Sequence, residues 1–192
     1  MKIESASVFG LGKLGACLAA TLAARGVNVI GVDIDPEKVR LVNDGLPPVE
    51  EPLLAETMQA GHSLLRATLD AREAVQTDAS FFIPPTMSLP DGSFSNEFLL
   101  KAMQPCASAI RAADKRGHLF VCSSTTTPGA CDTVLVPMLE KVSDRCHDPE
   151  GVCRRAPPFR GVFVPVIWAD FEKTSLLKKK AALPLSECLA SL

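Results

Sequence analysis

Three glycines near the N-terminus have the spacing of a phosphate-binding loop. They lie in the run Gly10-Leu11-Gly12-Lys13-Leu14-Gly15, directly after a short apolar segment. In such a loop the first glycine permits a tight turn, the second lets the backbone approach a pyrophosphate, and the third lets a helix pack closely on a strand. The N–H groups and positive dipole at the start of that helix, at residues 13 to 16, then bind the phosphates. The run therefore predicts a dinucleotide site.

Asp33 stands at the end of the next apolar segment, which is where a dinucleotide site carries its acidic residue. Its carboxylate would accept hydrogen bonds from the adenosine ribose hydroxyls and would repel a 2′-phosphate, so we expect NAD rather than NADP. The alternative is a glycine turn that only packs a helix on a strand. Lys38 is within reach of the same adenosine end, although a solvated helix lysine is an equally good interpretation.

The elements that position these residues follow from the apolar periodicity. Residues 5–9 and 27–32 predict strands, and the segment between them predicts a helix that ends at Arg25-Gly26. The apolar face of this helix is expected to carry Leu14, Cys17, Leu18 and Leu22. Asp35 as N-cap and Pro36 at the first helical position predict a second helix.

The pattern of strands alternating with helices continues to about residue 142. In order, it predicts a proline loop at 46–52, helical segments at 53–61 and 71–76, a strand at 79–83, a helix from Ser95 or Asn96 through Lys115, a strand at 119–122 and a helix at 134–142. Short strands that are apolar on both faces are typical of parallel sheets. The predicted fold class is α/β of the Rossmann type, a doubly wound and mostly parallel sheet with helices on both faces.

The pattern fails from about residue 143. Residues 143–160 are rich in Cys, Pro, Arg and Asp without periodicity, and only 161–167 has the composition of a strand. The sequence thus predicts a dinucleotide-binding domain at 1–142 and an irregular or poorly folded extension at 143–192.

Composition and charge argue against several partners. A net charge of −2 gives no basic field for binding nucleic acid. The apolar stretch from Ala16 to Ala24 is well below the ~20 residues of a membrane span, and the N-terminus lacks a secretory pattern. We therefore expect a cytoplasmic protein with neither nucleic-acid nor membrane partners.

The seven cysteines and three histidines predict neither disulfides nor a metal site. The cysteines are odd in number and scattered, as free thiols in a reducing compartment are. Cys146, His147 and Cys153 have no standard zinc spacing, and no fourth ligand is evident. His62 and His118 are expected to be isolated surface residues.

Residues 3–142 resemble the N-terminal domain of the UDP-glucose/GDP-mannose dehydrogenase family. The matching segments, in order, are Val8-Phe9-Gly10-Leu11-Gly12-Lys13-Leu14-Gly15, Val32-Asp33-Ile34-Asp35-Pro36-Glu37-Lys38-Val39, Asn43-Asp44-Gly45 before Glu51-Pro52, Phe82-Ile83-Pro84-Pro85-Thr86, Asp91-Gly92, and Ser124-Thr125 through Pro128-Gly129. The resemblance implies an oxidoreductase that uses NAD to oxidise C6 of a UDP- or GDP-sugar to a uronic acid, as in polysaccharide biosynthesis.

The resemblance also implies roles for particular residues. Pro85, Thr86 and Thr125 would line the cofactor at the ends of two strands, with Thr125 near the nicotinamide and a catalytic water. Glu51 matches the acidic residue of the family's proline loop beside the cofactor. The alternatives are that the threonines only cap turns and that Glu51 is a solvated charge.

The family's later motifs are not visible after residue 143. Neither Cys153 nor Cys188 stands in the Gly-x-x-Cys-x-x-Asp frame of the nucleophile that holds the substrate covalently during the second oxidation. We therefore expect a chain that is incomplete as a catalyst, and the abrupt change favours the hypothesis of a truncated or frame-shifted gene product. Two alternatives stay open, namely a non-catalytic or degenerate NAD-binding module that needs a partner chain, and a β-hydroxyacid-type dehydrogenase. The sequence leaves the oligomeric state undetermined.

Overall fold

A parallel sheet forms the centre of the computed structural model, which describes residues 3–115, 118–143 and 159–161. Its strands are β1 (Ser5–Phe9), β2 (Asn28–Val32), β3 (Leu65–Thr68), β4 (Ala79–Phe82), β5 (His118–Cys122) and β6 (Phe159–Gly161). They lie in the order β3-β2-β1-β4-β5-β6, and every neighbouring pair is parallel. The chain builds outward from β1 on one side and then returns to its other side at β4. This is the doubly wound arrangement, which confirms the predicted fold class.

The helices cover both faces of the sheet. They are α1 (Lys13–Ala24), α2 (Pro36–Asn43), α3 (Leu54–Ala60), α4 (Glu97–Ala112) and α5 (Val136–Ser143), with a 3₁₀ turn at Ala71–Gln76 and a π-helical turn at Cys131–Leu135. One apolar cluster joins α4 and α5 to the sheet, and a second joins α1 and α3 to its other face. In the described part of the chain, no helix is long and apolar enough to cross a membrane.

Three phenylalanines on neighbouring strands hold the first of these clusters together. The rings of Phe9 and Phe82 stack with centroids 4.5 Å apart, and those of Phe82 and Phe120 stack at 5.5 Å. All three side chains are buried. Phe9 and Phe82 are the last residues of β1 and β4, so their stacking lies at the edge where ligands bind in sheets of this kind.

The buried face of α1 differs from the predicted one. Its fully buried residues are small, namely Gly15, Ala16, Ala19, Ala20 and Ala23. Leu14 is instead 56% exposed, and Cys17, Leu18 and Leu22 are only partly buried against the cluster. The helix lies so close to the sheet that only small side chains fit between them, and this outweighs the periodicity of the larger residues.

Two other elements differ from prediction. Strand β3, which pairs with β2 at the edge of the sheet, was not predicted. It has only four residues, one of them the exposed Arg66, so the sequence shows no apolar pattern there. Helix α4 ends at Ala112, and Lys115 beyond it donates hydrogen bonds from its ammonium group to the carbonyl oxygens of Val75 and Thr77. Strand β6 lies beyond the proposed boundary at residue 143, and most of that region falls outside the described residues.

His118 is fully buried, so its prediction as a surface residue was wrong. Its Nε2 lies 2.8 Å from Ser80 Oγ, which lies 2.6 Å from Ser7 Oγ. These contacts form a polar ladder across β5, β4 and β1 beneath α4. Burial of the imidazole, with the nearby Lys115 charge, lowers the pKa of His118 from 6.5 to about 4.

We predict that this histidine makes stability fall in mild acid. Between pH 6.5 and 4 the unfolded chain binds a proton that the native chain does not, so the free energy of unfolding should drop by about 2 kcal/mol between pH 7 and pH 5. Urea unfolding of the wild type and His118→Gln at both pH values measures this difference. The variant should lack the His118 contribution, and equal pH dependence in the two proteins would refute the assignment.

Candidate functional site

The three glycines of the loop lie at the junction of β1 and α1, as predicted. Gly10 has φ +95°, and an added Cβ would lie 2.6 Å from the carbonyl oxygen of Ile83. A Cβ on Gly15 would lie 1.8 Å from the carbonyl oxygen of Gly10. No side chain fits at either position. These two glycines are therefore required for the turn and for the approach of α1 to the sheet.

Gly12 differs from the other two because the fold itself does not require a glycine there. It precedes α1 with an ordinary extended backbone, φ −74° and ψ −168°, and nothing lies within 4 Å of an added Cβ. No side chain caps the helix at this point. The result is open space at the residue that precedes the first turn of α1, where a phosphate would approach the helix N-terminus.

Asp33 faces this loop from the end of β2. Its side chain is almost completely buried, with Oδ2 accepting a hydrogen bond from Leu11 N at 2.6 Å and Oδ1 accepting one from Asp35 N at 3.0 Å. The Lys38 ammonium lies 3.8 Å from Oδ2. The carboxylate therefore fixes the glycine loop to β2, a task that the sequence did not indicate. Its contact with a ribose stays a prediction.

An apolar surface adjoins Asp33. Ile34 is 95% exposed and Leu69 is 55% exposed. They directly follow Asp33 and Thr68, which are joined across the ends of β2 and β3 by a hydrogen bond from Asp33 N to Thr68 O. Sequence reasoning did not single out either residue, although Ile34 directly follows the predicted ribose ligand and offers an apolar face beside it.

The loops that follow β4 and β5 meet at the same edge. Thr86 Oγ1 donates to Thr125 O at 3.2 Å, and Ser124 Oγ donates to Pro84 O at 2.8 Å. Pro85 between them is exposed. Gly10 closely approaches the carbonyl oxygen of Ile83, so the loop after β4 lies next to the glycine loop. The structure thus brings the predicted residues Pro85, Thr86 and Thr125 to one edge.

Glu51 in the proline loop pairs with Lys13 at the start of α1. The ammonium nitrogen lies 2.9 Å from Glu51 Oε1, with the Lys13 side chain 78% exposed and the Glu51 side chain 25% exposed. The hydrogen bond and the negative charge of Glu51 raise the pKa of Lys13. This ion pair joins the start of α1 to the proline loop. The resemblance placed both segments beside the cofactor but did not indicate that they contact each other.

Comparison with known proteins identifies the family of this chain. The NAD binding domain of the UDP-glucose/GDP-mannose dehydrogenase family matches residues 2–153 of the chain. The chain belongs to this family. The predicted resemblance and the choice of NAD as cofactor are confirmed, and this chain corresponds to the N-terminal, NAD-binding part of the dehydrogenases.

Three relatives illustrate the similarity. GDP-mannose 6-dehydrogenase of Pseudomonas savastanoi pv. phaseolicola is 38% identical over 142 residues, covering 72% of this chain and 32% of the relative. UDP-glucose 6-dehydrogenase of Haloferax volcanii is 39% identical over 144 residues with the same coverage. The crystal structure of a ternary complex of GDP-mannose dehydrogenase from Pseudomonas aeruginosa has a TM-score of 0.71 and 32% identity, covering 82% of this chain and 35% of that one. The chain thus spans about a third of the length of these dehydrogenases.

The thiols of the described NAD-binding domain are not activated. Burial raises the pKa of Cys106 to about 12 and that of Cys122 to about 11. It also raises the pKa values of Cys17 and Cys131, and all four are free cysteines. Within residues 3–115, 118–143 and 159–161, no three His, Cys, Asp or Glu side chains group as metal ligands. Cys146, His147, Cys153 and Cys188 lie outside the described residues.

Leu53, directly after Glu51-Pro52, has a left-handed backbone with φ +63° and is 70% exposed. This conformation costs a non-glycine residue roughly 1–2 kcal/mol, and little packing offsets it here. We predict that Leu53→Gly raises the free energy of unfolding by about 1 kcal/mol in urea titrations.

Leu46→Gly is the matched control. Leu46 is a second exposed leucine, at the start of the proline loop, and its φ is not positive. That substitution should lower stability, since glycine only adds backbone freedom to the unfolded chain. If Leu53→Gly lowers stability as Leu46→Gly does, the backbone of Leu53 is not strained.

Proposed function

We propose that this chain binds NAD across the carboxyl edge of its sheet, with the diphosphate at the start of α1. The observation that carries the proposal is the open space at Gly12. A glycine that the fold does not need, in front of helix N–H groups without a side-chain cap, fits a phosphate that must approach the backbone. Gly10 and Gly15 shape the turn, and the N–H groups of Lys13 and Leu14 at the helix start are the proposed donors to the phosphates.

The adenosine half would then lie toward β2. Asp33 is the proposed ligand of the ribose hydroxyls, with Lys38 beside it. The exposed side chain of Ile34 provides an apolar surface for the adenine ring. Since Asp33 also holds Leu11 N, ribose recognition and the shape of the glycine loop depend on the same carboxylate.

The nicotinamide half would lie over the loops after β4 and β5, beside Pro85, Thr86 and Thr125. When bound, NAD accepts the hydride released from the sugar C6 of a UDP- or GDP-sugar. Thr125 is the proposed residue that positions the nicotinamide and a water, and its backbone is fixed by the Thr86 hydroxyl. We further propose a cytoplasmic setting, consistent with four described free thiols, and a role in polysaccharide biosynthesis.

Alone, the chain is proposed to bind the cofactor without turning over substrate. It spans about a third of its curated relatives, and its sequence shows no cysteine in the nucleophile frame. The described thiols are held protonated by burial. This favours an NAD-binding module formed by residues 1–142 with the following segment attached.

Replacement of Gly12 by valine tests the cofactor site. The side chain would fill the phosphate space without backbone strain, so we expect NAD affinity to fall at least about tenfold in calorimetry while the melting temperature changes little. Thr21→Val, on the exposed face of the same helix, should leave affinity unchanged. Full NAD affinity in Gly12→Val would show that the diphosphate binds elsewhere.

Turnover is tested by following NADH absorbance with UDP-glucose and with GDP-mannose as substrates. We expect cofactor binding without NADH formation by the chain alone. Sustained NADH formation with either sugar nucleotide would contradict the module and would mean that the chain contains its own complete catalytic apparatus.

A further inference from the structure

Lys13 is the first residue of α1, so its positive charge lies at the positive end of the helix dipole. The N-terminus of a helix carries a partial positive charge, so a cation there is unfavourable unless an anion is nearby. The first turn of α1 contains no acidic residue, and no side chain caps it. The close anion is Glu51 from the proline loop, with Glu50 acting more weakly.

The two partners of this ion pair differ in freedom. The Lys13 side chain is 78% exposed and has four rotatable carbon–carbon bonds, whereas the shorter Glu51 side chain is 25% exposed. Side chains of a helix point back toward its N-terminus, so the Lys13 side chain leads toward the space in front of the helix. The ammonium group can therefore change partners without movement of the backbone.

The space that it can reach is the one beside Gly12. Nothing lies within 4 Å of a Cβ at that position, which directly precedes the first residue of the helix. A diphosphate there would present more negative charge to the ammonium than one carboxylate does. The same cation thus has one anionic partner in the empty site and a stronger one when the site is filled.

We propose that the Lys13 ammonium is a ligand of the cofactor diphosphate and that Glu51 competes for it, so that NAD binding exchanges one ion pair for another. This inference rests on the proposed NAD site and adds a side-chain ligand to its backbone N–H groups. Glu51 then lowers the affinity for NAD, although it lies beside the cofactor site. On exchange, its carboxylate is released at the edge of the proline loop.

The test is calorimetric titration of the full chain with NAD at low and at physiological ionic strength. Lys13→Gln should weaken binding about fivefold and reduce its salt dependence, because a charge-assisted contact is lost. Glu51→Gln should strengthen binding about threefold, because the ammonium is already free. In the double variant the gain from Glu51→Gln should disappear, since it acts only through Lys13.

Two controls separate this exchange from general effects of charge. Lys101→Gln and Glu97→Gln break an exposed ion pair of 2.6 Å on α4, outside the glycine loop and the proline loop, and should leave NAD affinity unchanged. ADP and adenosine serve as competing probes, because ADP carries the diphosphate and adenosine lacks it. Lys13→Gln should weaken ADP and leave adenosine unaffected.

Unchanged or weaker NAD binding in Glu51→Gln would overturn the exchange, as would equal loss of ADP and adenosine in Lys13→Gln. These results are distinct from failure of the cofactor site itself. If the wild-type chain does not bind NAD at all, the proposed function fails; if it binds and the Lys13 and Glu51 variants behave like the α4 controls, only the exchange fails.

Discussion

The close contact between α1 and the turn at the end of β1 is the constraint on which the site depends. Gly15 lies so near the carbonyl oxygen of Gly10 that only a hydrogen atom fits between them. This contact brings the helix start to the edge of the sheet and requires alanines along the rest of the buried face. It also directs the helix dipole toward the open space at Gly12. The backbone contact between Gly10 and Gly15 thus determines both the packing of α1 and the position of the binding site.

Local signals predicted the elements around this contact. Asp35 accepts a hydrogen bond from Glu37 N at the start of α2, and Pro36 follows it, as N-cap chemistry requires. The prolines after Phe82 end β4 where expected. The sequence also brought Gly10, Asp33, Thr86 and Thr125 to one sheet edge, because parallel strands have their carboxyl ends on the same side.

What the sequence did not predict depends on tertiary distance. The face of α1 was misjudged because residue size, rather than hydrophobicity, decides which side can approach a glycine turn. His118 was misjudged because its partners Ser80 and Ser7 lie on other strands. The contact of Asp33 with Leu11 N and that of Lys13 with Glu51 join segments far apart in the chain, and no local pattern records them.

The protonated thiols of the described domain have a consequence for any two-step oxidation at this edge. Hydride transfer from a primary alcohol would leave an aldehyde, which a sulfur anion can capture covalently. Cys106 and Cys122 are buried in the sheet's own packing, and all four described cysteines hold their protons more tightly than a free thiol. The described residues therefore offer no activated thiol for such a capture. A covalent capture would then need a thiol from outside the described residues.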